Sequence, residues 1–352
     1  MGMGGSSLAP EVFRKVFGRR EGFLDLAVHD STDPGAVLAR AAGLDLERTL
    51  FIVSTKSGGT VETFSFLKYF YNLAAEKLGA SEAGRHFLAI TDAGSSLAEI
   101  AAAHTFRHCF LNDPTIGGRY SALSLFGLVP AALIGMDLEG FLARAAAAAD
   151  AEFAVSGVGG EQSGAFLGAL LGELALRGRD KLTFLFSPEI APFGDWVEQL
   201  IAESTGKEGK GILPVLGESL GPPTAYGADR VFVAVRVGRD RMGEEGLRSL
   251  SRAGHPVVEV GMAEPFDLAG QCFLWETATA AAGWRLAINP FDQPDVEAAK
   301  ALARRMIAAY RETGMIPSEQ PSREAPGIAV YGAAEACAPT AALDAFFAQA
   351  GP

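Results

Sequence analysis

The stretch Ser54-Thr55-Lys56-Ser57-Gly58-Gly59-Thr60-Val61-Glu62-Thr63 gathers hydroxyls, an ammonium and a glycine pair into one short segment. It follows an apolar run and precedes a helical pattern, so its side chains collect where backbone amides are free and a helix dipole is positive. That combination suits a phosphate monoester. The spacing is not GxxxxGK[ST], and no acidic residue stands out as a Mg²⁺ partner, so nucleotide hydrolysis is disfavoured. Taken alone, the same letters equally describe a Ser/Thr/Gly loop capping a helix.

Three further segments could carry chemistry. Gly117-Gly118-Arg119-Tyr120-Ser121 opens a helix expected near Ala122. Glycines there let the backbone approach a ligand, and the arginine fork can donate to an oxyanion. The plain alternative is a surface arginine at a helix start. In Gln199-Leu200-Ile201-Ala202-Glu203-Ser204-Thr205-Gly206-Lys207, Gln199 and Glu203 share a helix face while Leu200 and Ile201 can serve the core. Glu203 falls near the helix's C-terminal end, where the dipole disfavours a carboxylate, which suits a general base. A solvated face with a C-cap is the blander account. In Asn289 to Lys300, Asp292 or Gln293 can cap a helix whose first position is Pro294, with Lys300 two turns in on the same side as Gln293. Capping plus a solvated lysine explains that spacing without chemistry.

The histidines, His29, His86, His104, His108 and His255, lie beside no Cys, Asp or Glu at metal-ligand spacing, and HExxH is missing, so no metal is expected. His255 could serve as an acid or base, with a packed histidine at a strand start as the simpler reading. No GxSxG elbow supports Ser-His-Asp hydrolysis.

The elements that must position these groups follow from pattern. Residues 50–54, 86–91 and 107–111 read as strands, with helices over 60–78 and 95–103. The rhythm restarts with strands over 182–187, 231–237, 256–261 and 285–288 and helices over 196–204, 243–253 and 271–282. This predicts an α/β protein of two similar units with mostly parallel sheets. The boundary falls near the Gly-rich stretch from Phe153 to Gln162, giving residues 1–152 and 153–315. Residues 316–352 then hold a polar linker, Pro317 to Pro326, and a short incomplete α/β segment: a strand in GIAVYG and a helix from Pro339 to Ala350. Gly4 to Ser7 resemble a strand-to-helix phosphate turn with too few residues before it for its strand.

The chain has 352 residues, 49% hydrophobic and 20% charged, which fits a folded protein of two domains rather than a disordered one. Lys and Arg number 30 against 42 Asp and Glu, a net charge of −12, so nucleic acid is not an expected partner. Cys109, Cys272 and Cys337 are an odd, scattered set, consistent with a reducing cytoplasm. No uninterrupted apolar run reaches the ~18 residues of a membrane span, so no membrane partner is expected.

Together, GMGGSSLAPEV, STKSGGTVET, GGRYSALS, QLIAESTGKEGKG and INPFDQPDVEAAK resemble glucose-6-phosphate isomerases, and most of all the isomerase half of fused transaldolase/phosphoglucose isomerase chains; the likeness spans about residues 2–310. The resemblance implies two doubly wound, flavodoxin-like sugar-isomerase (SIS) domains and interconversion of glucose 6-phosphate and fructose 6-phosphate in glycolysis and gluconeogenesis, without a cofactor. It implies that Gly5 and Ser6 lie at the sugar-phosphate end and that Thr55, Lys56, Ser57, Thr60 and Thr63 bind the phosphate. Arg119 then matches the arginine that steadies the enediolate. Glu203 matches the base moving the proton between C2 and C1, with Gln199 one turn before it. Gln293 and Lys300 match residues that contact the ring and assist its opening. Family members are commonly homodimers.

The family's ring-opening histidine motif, STGQLHKGG in the fused enzymes, has no counterpart here, nor do the first strand and the transaldolase part. The chain is therefore expected to be truncated at both ends and to bind hexose phosphate better than it turns it over, with His255, Lys300 or water as other ring-opening groups. Two alternatives remain beside the isomerase: a sugar-phosphate sensor that needs the phosphate loop but no base, and an isomerase that also accepts mannose 6-phosphate.

Overall fold

The computed structural model describes residues 1–154, 163–292, 294–332 and 338–349. The chain divides into two compact units, Met1–Asp292 and Gln293–Pro352.

The first unit holds two parallel sheets. One runs in the order β1 (Phe51–Ser54), β2 (Phe87–Asp92), β3 (His108–Asn112). β2 is central and buried through nearly its whole length, as its apolar run FLAI requires of a strand covered on both faces. The other has the order β5-β4-β6-β7, with β4 at Lys181–Phe186, β5 at Leu213–Val215, β6 at Arg230–Val237 and β7 at Val257–Met262. Val231, Phe232, Val233, Ala234 and Val235 of β6 are all buried. The sheets fall before and after residues 155–162, where the expected boundary lies outside the described residues. The doubly wound α/β expectation matches this architecture of parallel strands alternating with helices.

The helices of this unit are α1 (Gly5–Phe17), α2 (Pro34–Ala42), α3 (Val61–Leu78), α4 (Ala80–Ala83), α5 (Ser96–Ala103), α6 (Leu125–Leu133), α7 (Leu138–Ala154), α8 (Gly164–Leu176), α9 (Phe193–Thr205), α10 (Glu244–Arg252) and α11 (Leu268–Arg285). α9 buries Trp196, Val197, Leu200, Ile201 and Ser204, which leaves Gln199 and Glu203 on another face. α8 and α11 lie very close together. A Cβ on Gly168 would stand 2.0 Å from Ala278 O, and one on Gly164 would stand 2.7 Å from Leu274 O, so only a side-chain-free stripe allows this approach.

One expected strand is absent, and one strand was not expected. Residues 285–288 are not a strand: α11 runs through Arg285, and the chain then leaves it in a Schellman turn. Ala287 takes a left-handed φ of 54°, with Ile288 N–H on Gly283 O and Ala287 N–H on Trp284 O. The alternation of Leu286 and Ile288 mimics a strand, yet it is the burial of a helix end. β5 escapes pattern reading because Leu213–Val215 is three residues long with a proline at its centre.

The edge of β1 opposite β2 borders a cavity. Met1 and Gly2 bridge its end: Ser54 N–H donates to Met1 O (2.9 Å) and Gly2 N–H to His29 O (3.3 Å). Beyond them a space of about 620 Å³ separates Leu24, Leu26 and Val28 from Leu50 and Ile52. Residues 24–30 are not strand there despite their alternation, since a strand needs a neighbour ~4.8 Å away.

In the second unit, α12 (Pro294–Thr313) is followed by β8 (Arg323–Ala325) and β9 (Ile328–Val330), an antiparallel hairpin, and by α13 (Pro339–Phe347). The expected linker at residues 317–326 thus contains a strand; Gly327, with φ 77°, closes the turn that pairs it.

Candidate active site

α1 begins where its glycines let it touch two other segments. Gly4 has φ 54°, and a Cβ there would lie 2.6 Å from Gln199 Nε2; a Cβ on Gly5 would lie 2.1 Å from Gly118 O. The first residues of α1 therefore abut both α9 and the short 3-10 turn Gly118–Tyr120. Ser6 is half-buried beside them.

Arg119 projects from that turn into the interior and is 2% exposed. Its Nε donates to Ser204 Oγ (2.9 Å), Nη1 to Glu203 Oε1 (3.0 Å) and Nη2 to Pro290 O (2.9 Å) and Asp292 O (3.4 Å). The surface-arginine alternative therefore does not describe it. A guanidinium is tolerated in such a place only when its donors are matched and its charge is countered, and here Glu203 supplies the countercharge. The Glu203 side chain is 27% exposed, so one carboxylate is held at one edge while remaining reachable. Gln199, one turn earlier, keeps a buried Oε1 with no partner among the described residues. Tyr120 donates to Ser204 Oγ (3.3 Å), and burial pushes its phenol above the ordinary value.

The hydroxyl-rich loop joins β1 to α3. Thr55 Oγ1 and Thr60 Oγ1 lie 3.1 Å apart, and Ser57 Oγ accepts from Gly59 N–H (3.2 Å). Thr60 is the N-cap of α3 but makes no side-chain cap bond, so the first amides of that helix meet no capping side chain. Lys56 does not stand free in the loop: Nζ donates to Asp92 Oδ2 (2.5 Å) and to Pro114 O (2.7 Å). Thr63 is buried, and its hydroxyl has no partner among the described residues.

Gln293 and the side chain of Lys300 lie outside the described residues; the backbone of Lys300 belongs to α12. His255 is packed rather than poised, with ring centroids of Phe232 and Tyr226 at 5.6 and 6.2 Å. Among the described residues no group of three or more His, Cys, Asp or Glu is arranged to hold a metal.

Pattern reading gave no role to two residues near this site. Lys207 is 5% exposed and donates to the 289–292 turn, and only its place after Gly206 hinted at it. Glu276 on α11 is a carboxylate that burial pushes up to about 8, close enough to Tyr120 and Cys272 to act on both electrostatically. Nothing in its helical spacing distinguishes it from a solvated glutamate.

The protein-family model described as phosphoglucose isomerase matches residues 1–212. A curated glucose-6-phosphate isomerase from Citrifermentans bemidjiense is 30% identical, with 93% of this chain and 68% of that protein aligned. Among solved structures, a hypothetical protein from Thermus thermophilus superposes with a TM-score of 0.77 at 25% identity, over 87% of this chain and 82% of that one. A glucose-6-phosphate isomerase from Chlamydia trachomatis shares the fold, with a TM-score of 0.69 at 23% identity over 88% of this chain and 69% of its own. On the match to residues 1–212 and the identity along most of both sequences, the chain belongs to the phosphoglucose isomerase family.

Proposed function

We propose that this chain interconverts glucose 6-phosphate and fructose 6-phosphate through a cis-enediol, a step of glycolysis and gluconeogenesis. Aldose–ketose exchange needs one base on one face of an open-chain sugar, to take the α-proton and return it to the next carbon. Glu203 is that base in this reading. Arg119 steadies the negative charge that develops on the substrate oxygen, having been fixed in place before the substrate arrives. The carrying observation is the Arg119–Glu203 pair, a buried cation matched to a half-open carboxylate at 3.0 Å.

Thr55, Ser57, Thr60 and Thr63, with the amides that open α3, form the proposed anchor for the phosphate, and Lys56 lends a charge tethered by Asp92. The phosphate is remote from the reacting carbons, so its binding energy serves to hold them against Glu203. Gly5 and Ser6, which the resemblance puts at the sugar-phosphate end, lie where α1 abuts the turn that carries Arg119, and Gln199 faces the sugar in this reading. Gln293 and Lys300 enter this reading through the resemblance alone. The same reading assigns β1–β3 to a first sugar-isomerase domain and β4–β7 to a second, and places the working enzyme in the cytoplasm as a homodimer. No helix among the described residues is long and apolar enough to cross a membrane.

A sensor that only binds sugar phosphate is not favoured, because it has no use for a carboxylate paired with a buried arginine. The deciding comparison is steady-state isomerase turnover of the chain and of Glu203→Gln. The variant is expected to lose about 10²–10⁴-fold in kcat, the usual worth of a positioned base. Its affinity for 6-phosphogluconate should stay within about threefold, since the anchoring loop is untouched. Unchanged turnover in the variant overturns the assignment of the base, and 6-phosphogluconate binding without turnover in the parent restores the sensor. A product assay with mannose 6-phosphate fixes the range of epimers accepted.

A further inference from the structure

Just beyond α9 the chain makes a two-residue hairpin that no turn-forming pair announces. Lys207 N–H donates to Lys210 O (3.1 Å) and Lys210 N–H to Lys207 O (3.0 Å), with Glu208 and Gly209 at φ 56° and 70°. Two successive positive φ values define a type I′ turn, and Glu208 is an unusual residue to hold one of them. The turn sends both lysines to one destination. Lys210 Nζ donates to Leu286 O at the C-cap of α11 (2.8 Å). Lys207 Nζ donates to Asn289 O (2.7 Å), Asp292 O (2.8 Å) and Asp292 Oδ1 (2.6 Å). All three donors of a buried ammonium are thereby used, which is what its burial demands.

The turn these lysines hold also holds Arg119. Pro290 O lies between the two residues that Lys207 grips, and it accepts from Arg119 Nη2, whose guanidinium also carries the bond to Glu203. We propose that Lys207 is a positioning residue for the isomerase reaction: it latches the 289–292 turn, so that Pro290 O fixes Arg119 and Arg119 fixes Glu203. This rests on the roles given above to Glu203 and Arg119. Without the latch the turn drifts, and a displacement of ~1 Å at a reacting group can cost about 10²-fold in rate.

The test compares the full chain with Lys207→Met, Lys207→Arg and Asp292→Ala, measuring kcat, KM for fructose 6-phosphate and hydrogen–deuterium exchange over residues 286–292. Lys207→Met is expected to lose at least about 20-fold in kcat while KM moves less than about threefold, because misplacement acts on the chemical step. Lys207→Arg, which keeps the charge and donors, should recover a substantial part of that loss. Asp292→Ala, which removes one exposed acceptor of three, should lose about three- to tenfold. Exchange over residues 286–292 should quicken in Lys207→Met and Asp292→Ala. A folded Lys207→Met with kcat within about twofold of the parent overturns the proposal. Should Lys207→Met fail to fold, unchanged kcat and exchange in Asp292→Ala overturn it instead. If the parent itself shows no isomerase turnover, the functional reading fails, and exchange over residues 286–292 still decides whether the latch exists.

Discussion

Arg119 reaches, with one guanidinium, the proposed base, the neighbouring Ser204 and the turn after α11. Lysine is a poor substitute there, since a single ammonium lacks the planar fork that spans three acceptors. Arg119→Lys is therefore expected to lower kcat by about 10²–10³-fold, the ~2.7–4 kcal/mol typical of a lost oxyanion donor, with a smaller change in KM; steady-state kinetics on both sugar phosphates checks this. The type of residue needed at this position was legible because GGRY follows a turn and precedes a helix. The depth of its burial was not, since its acceptors lie 84 and 171 residues further along the chain. Lys207 was hidden for a stronger reason: its partners are mostly backbone carbonyls, and any sequence supplies carbonyls. Lys56 shows a third kind of blindness. Its loop has the composition of a phosphate site, yet nothing local indicates that Asp92, at the end of the neighbouring strand, claims the ammonium.

Among the elements, α8 and α11 depend on a glycine stripe. Gly164, Gly168 and Gly172 face Leu274, Ala278 and Arg285, and the packing leaves no room for a methyl group at Gly168. Gly168→Ala should raise helix propensity by about 1 kcal/mol and still destabilise, because forcing the helices apart typically costs about 1–3 kcal/mol or more. A lowered melting temperature with unchanged far-UV circular dichroism is the expected result, and a higher one contradicts the account. Long apolar runs such as β2 and β6 were readable because burial on both faces leaves no other sequence solution. The end of α11 was not, because an apolar residue every second position over four residues fits a buried helix terminus as well as a strand. The closeness of α8 and α11 had a visible sign in the spacing of three glycines by four residues, though their partner helix did not.

At the scale of the whole molecule, one buried acid should make stability depend on pH. The Glu276 carboxyl is pushed from 4.5 up to about 8 by burial, so the folded chain holds that proton more tightly than the unfolded chain does. Stability from this group is complete below pH 4.5 and is lost as pH rises through about 8. The span corresponds to at most about 5 kcal/mol. The melting temperature should accordingly fall between pH 5 and pH 9, and Glu276→Gln should flatten that slope and exceed the parent at the alkaline end. A parallel decline in both proteins assigns the pH dependence to other groups.

The separation in sequence of the groups that Arg119 joins has a kinetic corollary. Each parallel sheet can be built from segments near one another along the backbone, whereas the bonds to Glu203 and Pro290 close loops of 84 and 171 residues, whose ordering entropy must be met before the contact returns anything. Completing the reactive constellation thus closes longer loops than either sheet does, at an added entropy cost of about 0.6 kcal/mol per doubling of length. Segments from both sides of residues 155–162 have to be in place before the carboxylate and its arginine can meet.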